Sequence, residues 1–260
     1  GDGRGGARLG ETDVGRERDH NEDSYGLFPE FNLFVVADGM GGHRAGDVAS
    51  KISVEAIEEF FRETEKDDIT WPFQFDPNSP FSVNRFITAV QVGNTRIFKR
   101  SNEEEDLQGM GTTVVGILGV ENNNAMHVVH VGDSRCYRVR GNDIAVITLD
   151  HSLINDYLRA APDLTLEQLA ELPTNVITRA LGMQDKVLVD HQTLETEVGD
   201  IMLLCSDGLN GMLDDSEIRD IVIANRGDLQ QTARALIDAA NTNGGDDNVT
   251  VVLVEVVEEN

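Results

Sequence analysis

The sequence is short of positive charge. Only 21 lysines and arginines stand against 47 aspartates and glutamates, for a formal net charge of -26 in 260 residues. A nucleic-acid backbone is gripped through a Lys/Arg-rich face, so this balance argues against a nucleic-acid partner, and equally against an anionic membrane surface. Long apolar runs are missing too. Nothing approaches the roughly 18 consecutive apolar residues of a membrane span, and no signal-peptide pattern opens the chain. Cysteine is limited to Cys136 and Cys205. Both sit in apolar, strand-like runs, which leaves no disulfide framework and fits a reducing compartment, with the cytoplasm as the expected location. No Gly-x-Gly-x-x-Gly follows a strand, so no dinucleotide fold is signalled. The opening GDGRGG is turn-like and begins on Gly rather than Met, which fits a processed or excised domain with a flexible segment over 1–8.

What is present is a hydrophobic content of 40%, enough for a buried core in one large domain, assigned to 9–260. Apolar patterning places strands within 9–37, then an amphipathic helix over 45–63 with Val48, Ile52, Ala56 and Phe60 at four-residue spacing. The stretch 67–80, DDITWPFQFDPNSP, carries three of the six prolines and the only tryptophan and reads as a surface insertion. A second helix follows from 83 to about 100. Strands are expected at 112–120, 125–131, 135–140 and 144–148, a helical polar stretch at 152–185, strands again at 187–194 and 201–205, helices near 215–224 and 228–241, and a last strand at 249–257. Strands in direct succession imply antiparallel hairpins. The expected fold is α+β, two stacked antiparallel sheets with helices on both outer faces. The acidic runs at 103–106 and 214–217 read as solvated surface.

Four short segments stand apart from that surface: RDHNED at 18–23, VADGMGGH at 36–43, LLCSDG at 203–208 and GGDDNVT at 244–250. A lone Asp-Gly is ordinary turn chemistry. Here, however, two of the segments close near-continuous apolar runs, 33–37 and 201–205, and a third opens another. Carboxylates are thereby set at strand ends, where a rigid sheet can hold them around a shared ion.

Taken with GMGTTVVG at 109–116, HVGDSRCYR at 130–138, LDHS at 149–152 and NVITRALG at 175–182, these segments resemble, in order and over essentially the whole chain, the bacterial type 2C metal-dependent protein phosphatases (the PPM family). That resemblance implies hydrolysis of phosphoserine and phosphothreonine in proteins by a metal-bridging water, with no covalent phosphoenzyme. It implies that Asp38 bridges two ions, that Gly39 offers a carbonyl, that Asp207 and Asp247 complete the second ion, and that Asp23 and Glu22 bind directly or through water. Asp133 corresponds to the aspartate that joins Asp207 at a third, weaker ion. Such hard oxygen ligands, without His or Cys, suit Mg²⁺ or Mn²⁺. Arg18 fits the phosphate clamp, since a guanidinium offers parallel donors to two phosphate oxygens.

One position departs from part of the family. Where some members have a histidine that could protonate the leaving alkoxide, this chain has Met40; His43 is the nearest substitute, and a metal-bound water is another. His130 and His151 read as structural residues, and His20 has no assigned role. A cysteine-nucleophile phosphatase would place Arg six positions after its Cys, but Asn142 and Gly211 stand there. Residues 153–178 occupy the place of the family's mobile flap, and they and the 67–80 insertion are where substrate choice is expected to reside. The partners implied are phosphorylated proteins, among them a serine/threonine kinase or its targets, and the chain is expected to be a monomer. Two other readings stay open: a catalytically silent sensory or binding module, which should have lost a metal aspartate or the arginine, and a small-molecule phosphoester hydrolase.

Overall fold

A strand that is apolar at every position must be covered on both faces, because successive side chains point to opposite sides of the sheet. In the computed structural model, which describes residues 8–42, 45–65, 76–120, 124–173 and 176–258, this is the organising fact. Among the described residues eleven strands form two antiparallel sheets. The first contains β1 (Arg8–Asp13), β11 (Val249–Glu255), β10 (Ile201–Cys205), β7 (Arg135–Arg140) and β8 (Asp143–Val146), in that order. The second runs β2 (Asp23–Phe28), β3 (Leu33–Met40), β5 (Val114–Val120), β6 (Ala125–Val131) and β9 (Asp190–Glu195), with the short β4 (Gly111–Thr112) paired to β3.

Three layers of apolar packing follow. Phe34, Val36, Val115, Ile117 and Val128 of one sheet meet Cys136, Met202, Leu204 and Val252 of the other. The alternate residues Leu33, Val35, Leu118 and Val129 face outward, against α1 (Ala45–Glu63) and α2 (Phe81–Glu103). There Phe61 meets Phe86 edge-on, with ring centroids 5.9 Å apart. On the opposite side Tyr137, Leu203, Val251 and Leu253 are covered by α5 (Asp207–Asn210), α6 (Asp215–Ala224) and α7 (Leu229–Thr242). The four-layer α+β expectation holds.

The differences are local. The 112–120 strand is divided at Thr113, whose side chain and backbone are turned to the site described below. The helical reading of 152–185 is too long: among the described residues of that stretch only α3 (Leu153–Ala160) and α4 (Leu166–Glu171) form, and the β9 ladder starts at Asp190. Neither helix contains a buried residue; α3 is tied at its start by the Leu153 amide to the Val176 carbonyl and by the Ser152–Ile177 bridge, and α4 by its capping box. β1 begins at Arg8, opposite Val254, so the first strand takes in the last residue of the segment expected to be flexible. Residues 1–7, 67–75 of the expected insertion, His43 and residues 174–175 lie outside the described residues.

Candidate functional site

The carboxylates gather at one end of the sandwich, where strand ends of both sheets meet. Asp38 is near the end of β3 and directly opposite Asp23, the first residue of β2. Asp207 follows β10, and Asp247 stands two residues before β11. Asp133 lies in the three-residue passage by which the chain leaves β6 in one sheet and enters β7 in the other. One carboxylate oxygen from each of Asp38, Asp207 and Asp247 falls within 4.8 Å of the other two. Asp23 stands behind them, its Oδ2 accepting hydrogen bonds from Ser206 Oγ at 2.8 Å and Thr250 Oγ1 at 2.7 Å. These two bonds fasten β2 of one sheet to β11 and to the residue just after β10 in the other.

Like charges are crowded here beyond what the protein compensates. Burial, reinforced by Asp23 and Asp207, raises the Asp38 carboxyl well above its usual range. Burial also lifts Asp133 to about 7, with Asp207 adding to it. Asp23 is lifted to about 6 by burial against the opposing pull of the Thr250 and Ser206 hydroxyls. Asp247 and Glu22 are raised as well, chiefly by desolvation. The cation at the rim is Arg18, whose Nε lies 3.6 Å from Asp247 Oδ1 and whose side chain is 57% exposed. Moreover, Asp23 Oδ1, Asp133 Oδ1 and Asp207 Oδ1 are buried with no hydrogen-bond partner. Leaving buried carboxylate oxygens unpartnered is expensive unless a cation satisfies them. The donor set is all oxygen, so the residues present fit a hard divalent cation such as Mg²⁺ or Mn²⁺.

Gly39 of DGMGG and Gly46 in the first turn of α1 act through what they leave out. A Cβ at Gly39 would overlap the Gly46 carbonyl oxygen, and one at Gly46 would overlap the Glu22 carboxylate. Their absence lets the first turn of α1 close onto the acid cluster, where the helix N-terminus favours negative charge. Beyond the carboxylates opens a cleft of about 470 Å³, with Arg18, Asp133, Asp207 and Asp247 on one side and Ile154, Asn155, Pro173 and Val176 on the other.

Protein phosphatase 2C is the family whose sequence pattern the chain matches, over residues 15–253. The chain belongs to the protein phosphatase 2C family. It is 38% identical over 253 residues to the serine/threonine phosphatase stp of Listeria welshimeri, an alignment covering 94% of this chain and 93% of that protein. The crystal structure of the Mycobacterium tuberculosis serine/threonine phosphatase PstP/Ppp is similar with a TM-score of 0.81 and 33% identity, covering 96% of this chain and 98% of that one. A catalytic domain of PstP in complex with two manganese ions superposes with a TM-score of 0.78 and 32% identity, over 96% of this chain and 98% of that one. Protein phosphatase 2C membership makes the chain a serine/threonine protein phosphatase, a metal-dependent hydrolase that uses Mn²⁺ or Mg²⁺ and acts on phosphorylated proteins.

Of the residues selected from the phosphatase motifs, the fold brings Asp38, Asp207, Asp247, Asp133, Asp23, Glu22, Gly39 and Arg18 to this one end; His43 lies outside the described residues. His20 is close by, with Nε2 3.4 Å from Asp47 Oδ2. Both cysteines are fully buried, and burial pushes their thiols up, as suits core residues. Sequence reasoning overlooked Asn248, which donates to the carbonyls of Val14 and His20 and accepts from the Glu22 amide. It thereby fixes the first motif against the last, and its place beside Asp247 in GGDDNVT was the available signal. Also overlooked was Asp150 of LDHS, which takes both Nε and Nη2 of Arg135.

Proposed function

We propose that phosphoserine and phosphothreonine side chains of protein substrates are dephosphorylated at the cluster of Asp38, Asp207 and Asp247, with Gly39, Asp23, Glu22 and Asp133 completing the places for metal. The observation that carries this is the convergence of three carboxylates within 4.8 Å, at a cleft with orphaned buried oxygens. When bound, divalent ions supply acidification of the attacking water and withdrawal of charge from the phosphoryl oxygens.

The chain's own residues do the rest. Arg18 makes one hydrogen bond among the described residues, from Nε to the Asp246 carbonyl at 3.5 Å, so both terminal nitrogens are available to two phosphate oxygens. Asp38 and Asp23, opposite each other on paired strands, keep the cluster from spreading, because each is fixed by its strand. Ile154, Pro173 and Val176 form an apolar wall that removes water from one side of the cleft. Residues 153–178 are the proposed flap, and His43 the proposed donor of a proton to the leaving alkoxide. The physiological partners we infer are a serine/threonine kinase or its targets, met in the cytoplasm by a monomeric enzyme. No helix among the described residues is long and apolar enough to cross a membrane.

The test is phosphate release from a phosphothreonine peptide by metal-stripped protein given Mn²⁺, Mg²⁺ or chelator, beside Asp207→Ala. Release is expected with either ion, and is expected to vanish with chelator or in the variant. Equal release by Asp207→Ala would remove the proposal.

A further inference from the structure

Behind the acid cluster, His130, His151 and Asp190 form a second group of potential ligands close enough to share an ion. The geometry points elsewhere. The two imidazoles are stacked, with centroids 4.5 Å apart and planes 12° from parallel, so their in-plane lone pairs cannot converge on one point. Their nitrogens are also engaged. His130 Nε2 lies 2.8 Å from the Leu149 carbonyl oxygen. His151 Nδ1 accepts from the Gly132 amide at 2.9 Å, and its Nε2 is 2.7 Å from Asp190 Oδ2. An amide can only donate and a carboxylate accepts, so the ring is neutral with its proton on Nε2. Arg179, 2.7 Å from Asp190 Oδ1, keeps that carboxylate ionised and in place. Burial, which lowers the affinity of the His151 ring for a second proton, agrees with the neutral form.

What this ring touches gives it meaning. Gly132 adjoins Asp133 and has φ of +108°, with no room for a Cβ beside Thr113. Thr113 shares a 2.6 Å hydrogen bond with Ser134, donates its amide to the Asp38 carbonyl and accepts the Asp38 amide at its hydroxyl. The loop carrying Asp133 and the strand end carrying Asp38 are therefore one bonded unit. On the other side, the backbone of His151 donates to the Gly132 carbonyl and accepts from the Thr178 amide. Ser152 bridges Ile177 in the next step, closing the neck of the segment that includes α3 and α4.

We propose that His151 is a positioning residue: its ring, fixed in one tautomer by Asp190, holds the Gly132 amide and thereby sets Asp133 and the neck of the 153–176 segment at one fixed spacing across the cleft. The proposal rests on the phosphatase reading and adds to it a residue that touches neither substrate nor metal. Partners that orient a ligand-bearing element commonly change activity by about 10- to 100-fold when lost.

Two substitutions divide the ring's two bonds. The carboxamide oxygen of His151→Asn can occupy the place of Nδ1 and keep the acceptor for Gly132. The amide of His151→Gln can reach the place of Nε2 and keep Asp190, but offers Gly132 nothing. We expect His151→Gln to lower kcat about tenfold or more on both a phosphothreonine peptide and a small aryl phosphate, and His151→Asn to stay within about threefold of the parent. Exchange of the Gly132 amide proton, followed by NMR without turnover, should be slow in the parent and in His151→Asn and fast in His151→Gln. Should His151→Gln fail to fold, Asp190→Ala, which frees the tautomer while leaving the ring, decides alone: it should accelerate exchange at Gly132 and lower kcat. Equal losses in the Asn and Gln variants, losses that merely follow a lowered Tm, or fast exchange with undiminished kcat would overturn the proposal. An inactive parent would instead count against the phosphatase reading, and the exchange measurement would still judge the contact.

Discussion

The two walls of the cleft are built on opposite principles. On one side the carboxylates ride on strand ends bonded across two sheets, and the hydroxyls that touch Asp23 come from β11 and from the residue that follows β10 in the opposite sheet. On the other, α3 and α4 bury no residue, and Leu166 and Tyr157 remain 86% and 46% exposed. Buried apolar contact is what resists local opening, so the first wall should open only with the whole fold while the second can move on its own. Chemistry that needs carboxylates held against their repulsion is placed where the structure is stiffest, and selection among substrates where it is loosest.

The largest effect that would test this contrast is Asp38→Ala. Peptide dephosphorylation with Mn²⁺ should fall by at least about 10³-fold, while the metal-free variant should melt no lower than the parent, because the change removes a buried, repelled charge. A variant that lost activity by unfolding would show it in the melting curve. Next, Arg18→Ala should lower kcat/KM for the peptide by about 10- to 100-fold, the worth of charge-assisted hydrogen bonds to a phosphoryl group, and Arg18→Lys should recover little of it.

A pH series isolates the repulsion itself. Asp133 and Asp23 are raised to about 7 and about 6, above their values in the unfolded chain. The folded state therefore binds protons more tightly than the unfolded one, and that contribution to stability is present in acid and lost as pH rises. Metal-free protein should show a falling Tm between about pH 4 and pH 7, the interval separating the unfolded and folded carboxyl values. Saturating Mn²⁺ should flatten this slope, as scanning calorimetry at several pH values would reveal. The smallest effects belong to the loose wall. Leu166→Ala and Tyr157→Ala should leave stability within about 0.5 kcal/mol of the parent, as exposed positions do. Their kcat/KM should change by about threefold on the peptide and not at all on a small aryl phosphate.

Much of the stiff wall could be read in the sequence, because its strands are covered on both faces and so appear as unbroken apolar runs ending in Asp-Gly or beginning after Asp-Asn. The helix at 45–63 was equally plain from its four-residue apolar spacing, and its bounds match those of α1. The loose wall misled for a different reason. α3 does carry an apolar period, Leu153, Ile154, Tyr157 and Leu158, and the overlong helix came from passing over the stop signals Pro162, Pro173 and Gly182. α5 is a single turn, too short for any period to be seen. Asp190 was invisible on different grounds: nothing in DHQTLE marks it, since its partners His151 and Arg179 come from other parts of the chain. Packing preferences repeat along a chain and can be read from it, whereas a contact between distant polar residues leaves no local trace.

The antiparallel pairing of β1 with β11 sets Arg8 across from Val254, while Val249, at the other end of that ladder, lies beside the carboxylates. The first residue of β1 and the last residues of β11 therefore lie side by side, at the end of the ladder away from the carboxylates. A pair of spectroscopic labels at Arg8 and Glu255 would stay close for as long as this ladder holds, and would report its opening from a place remote from the phosphoprotein's approach.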